Sequence, residues 1–133
     1  MRIQLLVAAI ALFALSLATQ GCLQTCSQLC AENARYIDGC LETWDAHWSD
    51  LGYDGLIEQV QGETIEIVSH DNGPAGEYQD SCVGQYSEAI GRSRVEEQYT
   101  VRDGCAEDLQ LLASALGCYD YQPNDVALDP TAN

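Results

Sequence analysis

Seven cysteines constrain this chain more than any other feature: Cys22, Cys26, Cys30, Cys40, Cys82, Cys105 and Cys118. Three of them lie in a stretch that reads as one long helix, Leu23 to Leu51. Its apolar positions Cys26, Cys30, Ile37, Leu41, Trp44, Trp48 and Leu51 recur at helical spacing. Thr25-x-x-Gln28 has the pattern of a capping box at its start. Glu32, Asp38, Glu42, Asp45 and Ser49 fall on the opposite face, and Gly39 marks a place to bend. A helix rises about 1.5 Å per residue, so Cys40 stands roughly 15 Å from Cys30 and roughly 21 Å from Cys26. Bridged Cα atoms lie within about 7 Å of each other. Cys40 must therefore reach a later element, and three first-helix cysteines face three later ones.

Seven is an odd number, and the start of the chain bears on the odd one. Met1-Arg2 is a minimal positive start, and Ile3 to Leu17 is almost unbroken apolar residues. That run is too short to span a bilayer and has the flanks of an export signal. Residues 1–21 are therefore expected to be a cleaved signal peptide. Export places the rest where disulfides persist, and an odd cysteine there implies a free thiol or an intermolecular bridge.

The stretch Leu17-Ala18-Thr19-Gln20-Gly21-Cys22 resembles the bacterial lipoprotein signal, in which an apolar segment ends in a small residue followed by Cys. The resemblance implies cleavage after Gly21 and lipidation of Cys22 with palmitate-class acyl chains. Two or more chains anchor a protein stably. Leu23, which is not Asp, resembles the default for sorting to an outer membrane. Lipidation would leave six cysteines, enough for three bridges. The competing site, after Ala18 with Ser16 two residues before it, would give a soluble secreted protein.

Removing 21 of the 133 residues leaves 112, one domain by size. Glu77 to Arg94 returns to helical spacing, with Tyr78, Cys82, Tyr86, Ala89 and Ile90 on one face. Thr100 or Asp103 caps a third helix carrying Val101, Cys105, Leu109, Leu112 and Leu116, closed by Gly117. Between the first two helices, Gly52 to Gly76 is irregular. Leu56 to Val60 reads as a helical turn, Thr64 to Val68 as a short extended piece, and Asp71-Asn72-Gly73-Pro74 as a turn. Residues 122–133 hold two prolines and no periodicity, which predicts a disordered tail. The fold class is thus all-α: a small three-helix, disulfide-stapled bundle over residues 22–121, with a long irregular connection between helices one and two.

Parity of cysteines at each end of the bundle favours a second helix parallel to the first. Cys26, Cys30, Cys82 and Cys118 then share one end, and Cys40 and Cys105 the other. This predicts Cys40–Cys105, with Cys26 and Cys30 bonded to Cys82 and Cys118 in either order. The spacing Cys30-x9-Cys40 is similar to that of twin Cys-x9-Cys helical hairpins. The later pair, Cys105-x12-Cys118, and the export signal exclude that family.

Charge and motifs narrow the function. Without the leader, 4 Arg and no Lys stand against 21 Asp and Glu, a net charge of −17. Such a surface repels nucleic acid and anionic membranes and attracts cations or a basic protein partner. Trp44, His47 and Trp48 on adjoining helical positions form a candidate ligand patch, although aromatic stripes at this spacing usually pack in a core. His47 and His70 stand among carboxylates but without metal-ligand spacing. Asp50-x-Gly52-x-Asp54-Gly55 resembles half an EF-hand loop but has Gly52 and Gln61 where ligands are needed. No metal or cofactor site is expected. Gly-x-Ser-x-Gly, Cys-x-x-Cys and a phosphate-binding glycine loop are all missing. The sequence points to a non-catalytic, exported lipoprotein of a cell envelope, held to the membrane by its N-terminal lipid and acting as an interaction or structural module. A secreted acidic domain binding a cation or a basic protein is the alternative.

Overall fold

A computed structural model describes residues 2–62 and 64–123, with the backbone alone over residues 2–20 and at Gln61. Three helices carry the architecture: α1 (Arg2–Cys40), α2 (Gly73–Arg92) and α3 (Val95–Ser114). A short 3-10 helix, Trp48–Leu51, and two strands, β1 (Leu56–Gln61) and β2 (Thr64–Ser69), fill the connection between α1 and α2. The fold is therefore not purely all-α. The stretch read as a helical turn, Leu56 to Val60, is instead a strand. It pairs antiparallel with β2 from Leu56↔Ser69 to Gln61↔Thr64. Among the described residues, no helix is long and apolar enough to cross a membrane.

Helix α1 supplies the spine. Cys26, Leu29, Cys30, Ala34, Ile37 and Cys40 are buried at three- and four-residue intervals along one face. The capping box expected at Thr25 does not form, because the helix runs unbroken through that position. The Thr25 hydroxyl instead donates to the Gly21 carbonyl at 3.3 Å. The helix also stops sooner than the apolar stripe suggests, at Cys40 rather than Leu51. Asp45 takes a left-handed φ of 51°, and the Ala46 N–H reaches back to the Leu41 carbonyl at 3.0 Å. Trp44, Trp48 and Leu51 nevertheless reach the same core. Trp48 is buried in it, while Leu41, Trp44 and Leu51 pack against it partly buried. The periodicity marked burial correctly while the backbone beneath it changed form.

Helix α2 starts with Pro74 in its first turn, where a missing N–H costs nothing. Helix α3 begins at Val95, earlier than Thr100, because the Glu97 carboxylate accepts the Arg94 N–H at 3.0 Å. Glu96 and Glu97 also suit the positive end of the helix dipole. Only Ser93 and Arg94 separate α2 from α3, so the two run antiparallel.

The disulfides show how the helices lie on α1. Cys26 bonds Cys105, Cys30 bonds Cys82 and Cys40 bonds Cys118, with Cα separations of 5.1, 5.7 and 5.4 Å. All six expected cysteines are bridged, each joining α1 to a later element. The pairing Cys30–Cys82 falls within the expected set, but Cys40–Cys105 is replaced by Cys40–Cys118. Helix direction is corrected with it. Tyr78 packs near Ile37, Cys82 meets Cys30, and Tyr86 reaches the cluster of Cys26 and Leu29. Helix α2 therefore runs antiparallel to α1, and it is α3 that runs parallel. The parity rule sorted cysteines into two ends. Cys30 and Cys82 sit in mid-helix, so the bridges occupy three levels and each level is even.

After α3 the chain returns along the end of α1. The Tyr36 hydroxyl donates to the Gly117 and Tyr121 carbonyls at 2.8 and 3.1 Å, and the Trp44 indole to the Cys118 carbonyl at 2.9 Å. Burial pushes the Tyr121 phenol up to about 12. Pro123 is buried, so the domain extends past the residue 121 boundary. The rest of the expected tail, residues 124–133, lies outside the described residues.

Candidate functional site

The proposed aromatic patch is taken apart by the corner after α1. Trp48 turns inward, its ring 5.8 Å from that of Tyr78 and 6.2 Å from that of Tyr53. Its indole N–H donates to Asp38 at 2.9 Å. Trp44 points to the C-terminal return through its bond to Cys118. His47 is exposed, and its backbone N–H donates to the Asp50 carboxylate at 2.7 Å, which starts the 3-10 helix. What remains at this corner is an open groove of about 390 Å³, lined by Asp38, Glu42, Asp45 and His47 over Leu41 and Trp48. It offers three carboxylates and no fixed cationic partner.

His70 is used structurally. Its Nδ1 accepts the Asn72 N–H at 3.2 Å, which leaves Nε2 as the protonated nitrogen, donating to Asp80 at 2.9 Å. The ring packs so closely on Gly76 that a Cβ there would lie 2.8 Å from it. Asp50 and Asp54 likewise satisfy backbone N–H groups, those of His47 and Leu56. Among the described residues, no group of three or more His, Cys, Asp or Glu is placed to hold a metal ion.

Cys22 lies within α1, four residues before the first bridge, and is the one free cysteine. The residue is 2% exposed.

The surface that the sequence did not single out is the hairpin. Gly55 fixes its base. It has a φ of 75°, donates its N–H to Glu77 at 2.8 Å and accepts from the His70 N–H at 2.7 Å. A Cβ at Gly55 would lie 2.9 Å from Pro74. From this base β1 is laid against α2. Directly opposed residues share a face of the ladder, so Leu56, Glu58, Val60, Ile65, Ile67 and Ser69 line one side. Four of these are apolar and open to solvent: Leu56 is 46% exposed, Val60 72%, Ile65 62% and Ile67 65%. The other side carries Gln59, Glu66 and Thr64 with Ile57 and Val68.

Backbone direction adds to this. The bond from the His70 N–H to the Gly55 carbonyl makes 55–70 a hydrogen-bonded pair of the ladder, so 57–68 and 59–66 are too. The alternate residues Ile65 and Ile67 then turn their N–H and C=O groups outward. On β1 the equivalent outward N–H of Leu56 is held by Asp54 at 2.9 Å. No third strand joins the sheet among the described residues. A two-residue link containing a glycine, between two β-prone runs, is the signal that could have revealed this hairpin. Gly62 has a φ of 66° there.

The surroundings are uniformly acidic. From Tyr36 to Gly91 there are 12 Asp and Glu and no Lys or Arg. The chain matches no protein-family model, no curated protein and no solved structure.

Proposed function

We propose that this chain is a non-catalytic envelope lipoprotein, cut after Gly21 and anchored through acyl chains on Cys22. Its stapled domain serves as an interaction module at the membrane surface, taking a basic protein partner. The observation that carries this reading is the cysteine balance. Three bridges use six cysteines and leave Cys22, the residue at which the apolar leader ends. The first bridge lies one helical turn beyond Cys22, so a lipid-bearing first turn is free to rearrange while Cys26 and everything after it stay tied. The three disulfides are consistent with export. The acidic surface suits a cationic protein.

Intact mass of the protein recovered from the envelope tests the anchor. The expected species lacks residues 1–21, carries acyl chains and has no free thiol. It partitions into detergent, and Cys22→Ser releases it to the aqueous phase. A second reading, a soluble secreted domain cut after Ala18, draws support from the burial of the Cys22 side chain. An aqueous species with one free thiol would establish that reading instead.

A further inference from the structure

The hairpin combines three properties that point to one kind of ligand. Among the described residues nothing pairs with its β2 edge, where the backbone groups of Ile65 and Ile67 turn outward. The same two residues expose 62% and 65% of their surface. Glu66 between them lies on the opposite face, and no Lys or Arg occurs in the surrounding sequence from Tyr36 to Gly91. We propose that β2 is a docking edge for an extended, basic segment of a partner protein, which adds as a third strand beside Thr64–Ser69. The inference rests on the interaction-module reading and specifies its binding surface.

A third strand sets its side chains on alternate faces. Those beside Ile65 and Ile67 must be apolar to cover them. Those on the other face lie beside Glu66, where Lys or Arg makes the favourable cross-strand pair. The ligand is therefore an extended segment of alternating apolar and basic residues. Main-chain bonds supply affinity and the alternation supplies specificity, as in β-strand addition generally. A second copy of this chain fits less well, because without residues 1–21 each copy carries 4 Arg against 21 Asp and Glu, a net charge of −17. An anionic bilayer is opposed by the same charge.

The probe is the acetylated peptide (Lys-Val)4, with (Lys-Gly)4 and (Glu-Val)4 as controls, titrated into the exported, disulfide-bonded chain. Amide hydrogen exchange is followed residue by residue. (Lys-Val)4 is expected to bind and to protect the Ile65 and Ile67 amides, with (Lys-Gly)4 binding about tenfold more weakly and (Glu-Val)4 not at all. Ile67→Pro removes an outward N–H and leaves the β1–β2 bonds intact, since proline is tolerated on an edge strand. It is expected to weaken (Lys-Val)4 about tenfold, as is Glu66→Lys. Ile67→Thr, which keeps the strand and its N–H, serves if the proline variant misfolds, and should weaken binding severalfold.

Binding of (Lys-Val)4 and (Lys-Gly)4 alike, without protection of Ile65 and Ile67 and unaffected by these substitutions, would overturn the docking edge while leaving an acidic interaction module. No binding of either cationic peptide would overturn both the edge and the basic partner. Zwitterionic phosphatidylcholine vesicles that bind the chain in an Ile65- and Ile67-dependent manner would overturn the protein-strand proposal in favour of a lipid surface.

Discussion

The helical half of the molecule and the segment between α1 and α2 are built on opposite terms. In the helical half, each level along α1 is closed by a disulfide and lined by buried Leu29, Ala34 or Ile37. The segment from Leu41 to Asn72 contains no cysteine and no Lys or Arg. It is held to the helices at its base, where the rings of Tyr53 and Tyr78 stand 5.3 Å apart beside Trp48 and where Gly55 and His70 bond Glu77 and Asp80, and at Trp44, which bonds Cys118. Beyond that base, the hairpin exposes isoleucine and valine that a stability requirement alone would bury. Fold stability is thus concentrated where the hairpin is not, and the hairpin's sequence is free to serve recognition.

Reduction of all three bridges attacks the first half and should have the largest effect. Each bridge is worth about 2–4 kcal/mol, so together they approach the whole stability of a small domain. Loss of the cooperative thermal transition under reductant would confirm this, and an unchanged transition would show that the core suffices alone. Next is Trp48→Ala, which removes the residue tying the two halves together, with an expected loss of about 3–5 kcal/mol in a denaturant titration. Gly55→Ala, at a left-handed φ and against Pro74, should cost about 1–3 kcal/mol and fray the hairpin first. Ile65→Thr, at the exposed edge, should move stability by no more than about 0.5 kcal/mol. A larger change would mean that the hairpin is part of the core after all.

How much of this was legible follows from the same contrast. The burial of Cys26, Cys30, Ile37 and Trp48 could be read from spacing, because a 3.6-residue period reports which face meets a core. The end of α1 at Cys40 could not. Trp44, Trp48 and Leu51 keep that period while a left-handed Asp45 and a 3-10 turn carry them to the same core. Bridged cysteines were legible as a set, and so was the rule that α1 cysteines bond later ones. Their partners depended on helix direction, which cysteine counting alone does not determine. Thr64 to Val68 was legible as extended, but Leu56 to Val60 reads equally as a helical turn, so the pairing of the two into a hairpin was missed. The three side chains of the aromatic patch do not share a face, because α1 ends at Cys40: Trp44 turns to Cys118 and Trp48 into the core, while His47, which caps the 3-10 turn, stays exposed.

Alkaline titration probes the C-terminal return, with a smaller expected effect. Burial raises the Tyr121 phenol from 10 to about 12. A raised folded-state value means that the neutral phenol is favoured in the fold. Its contribution is present below pH 10 and is lost as pH rises toward about 12. Absorbance at 295 nm should show a late-titrating phase that Tyr121→Phe diminishes, the remainder coming from Tyr36, whose phenol burial also raises. Simultaneous titration of all tyrosines near pH 10 would place Tyr121 in solvent.

A non-reducing peptide map of the mature protein reaches the cysteine arrangement on which both the fold and the proposed anchor depend. The predicted map contains Cys26–Cys105, Cys30–Cys82 and Cys40–Cys118, with Cys22 as an acylated N-terminal residue. A map in which Cys22 forms a bridge, or in which Cys40 pairs with Cys105, would contradict it.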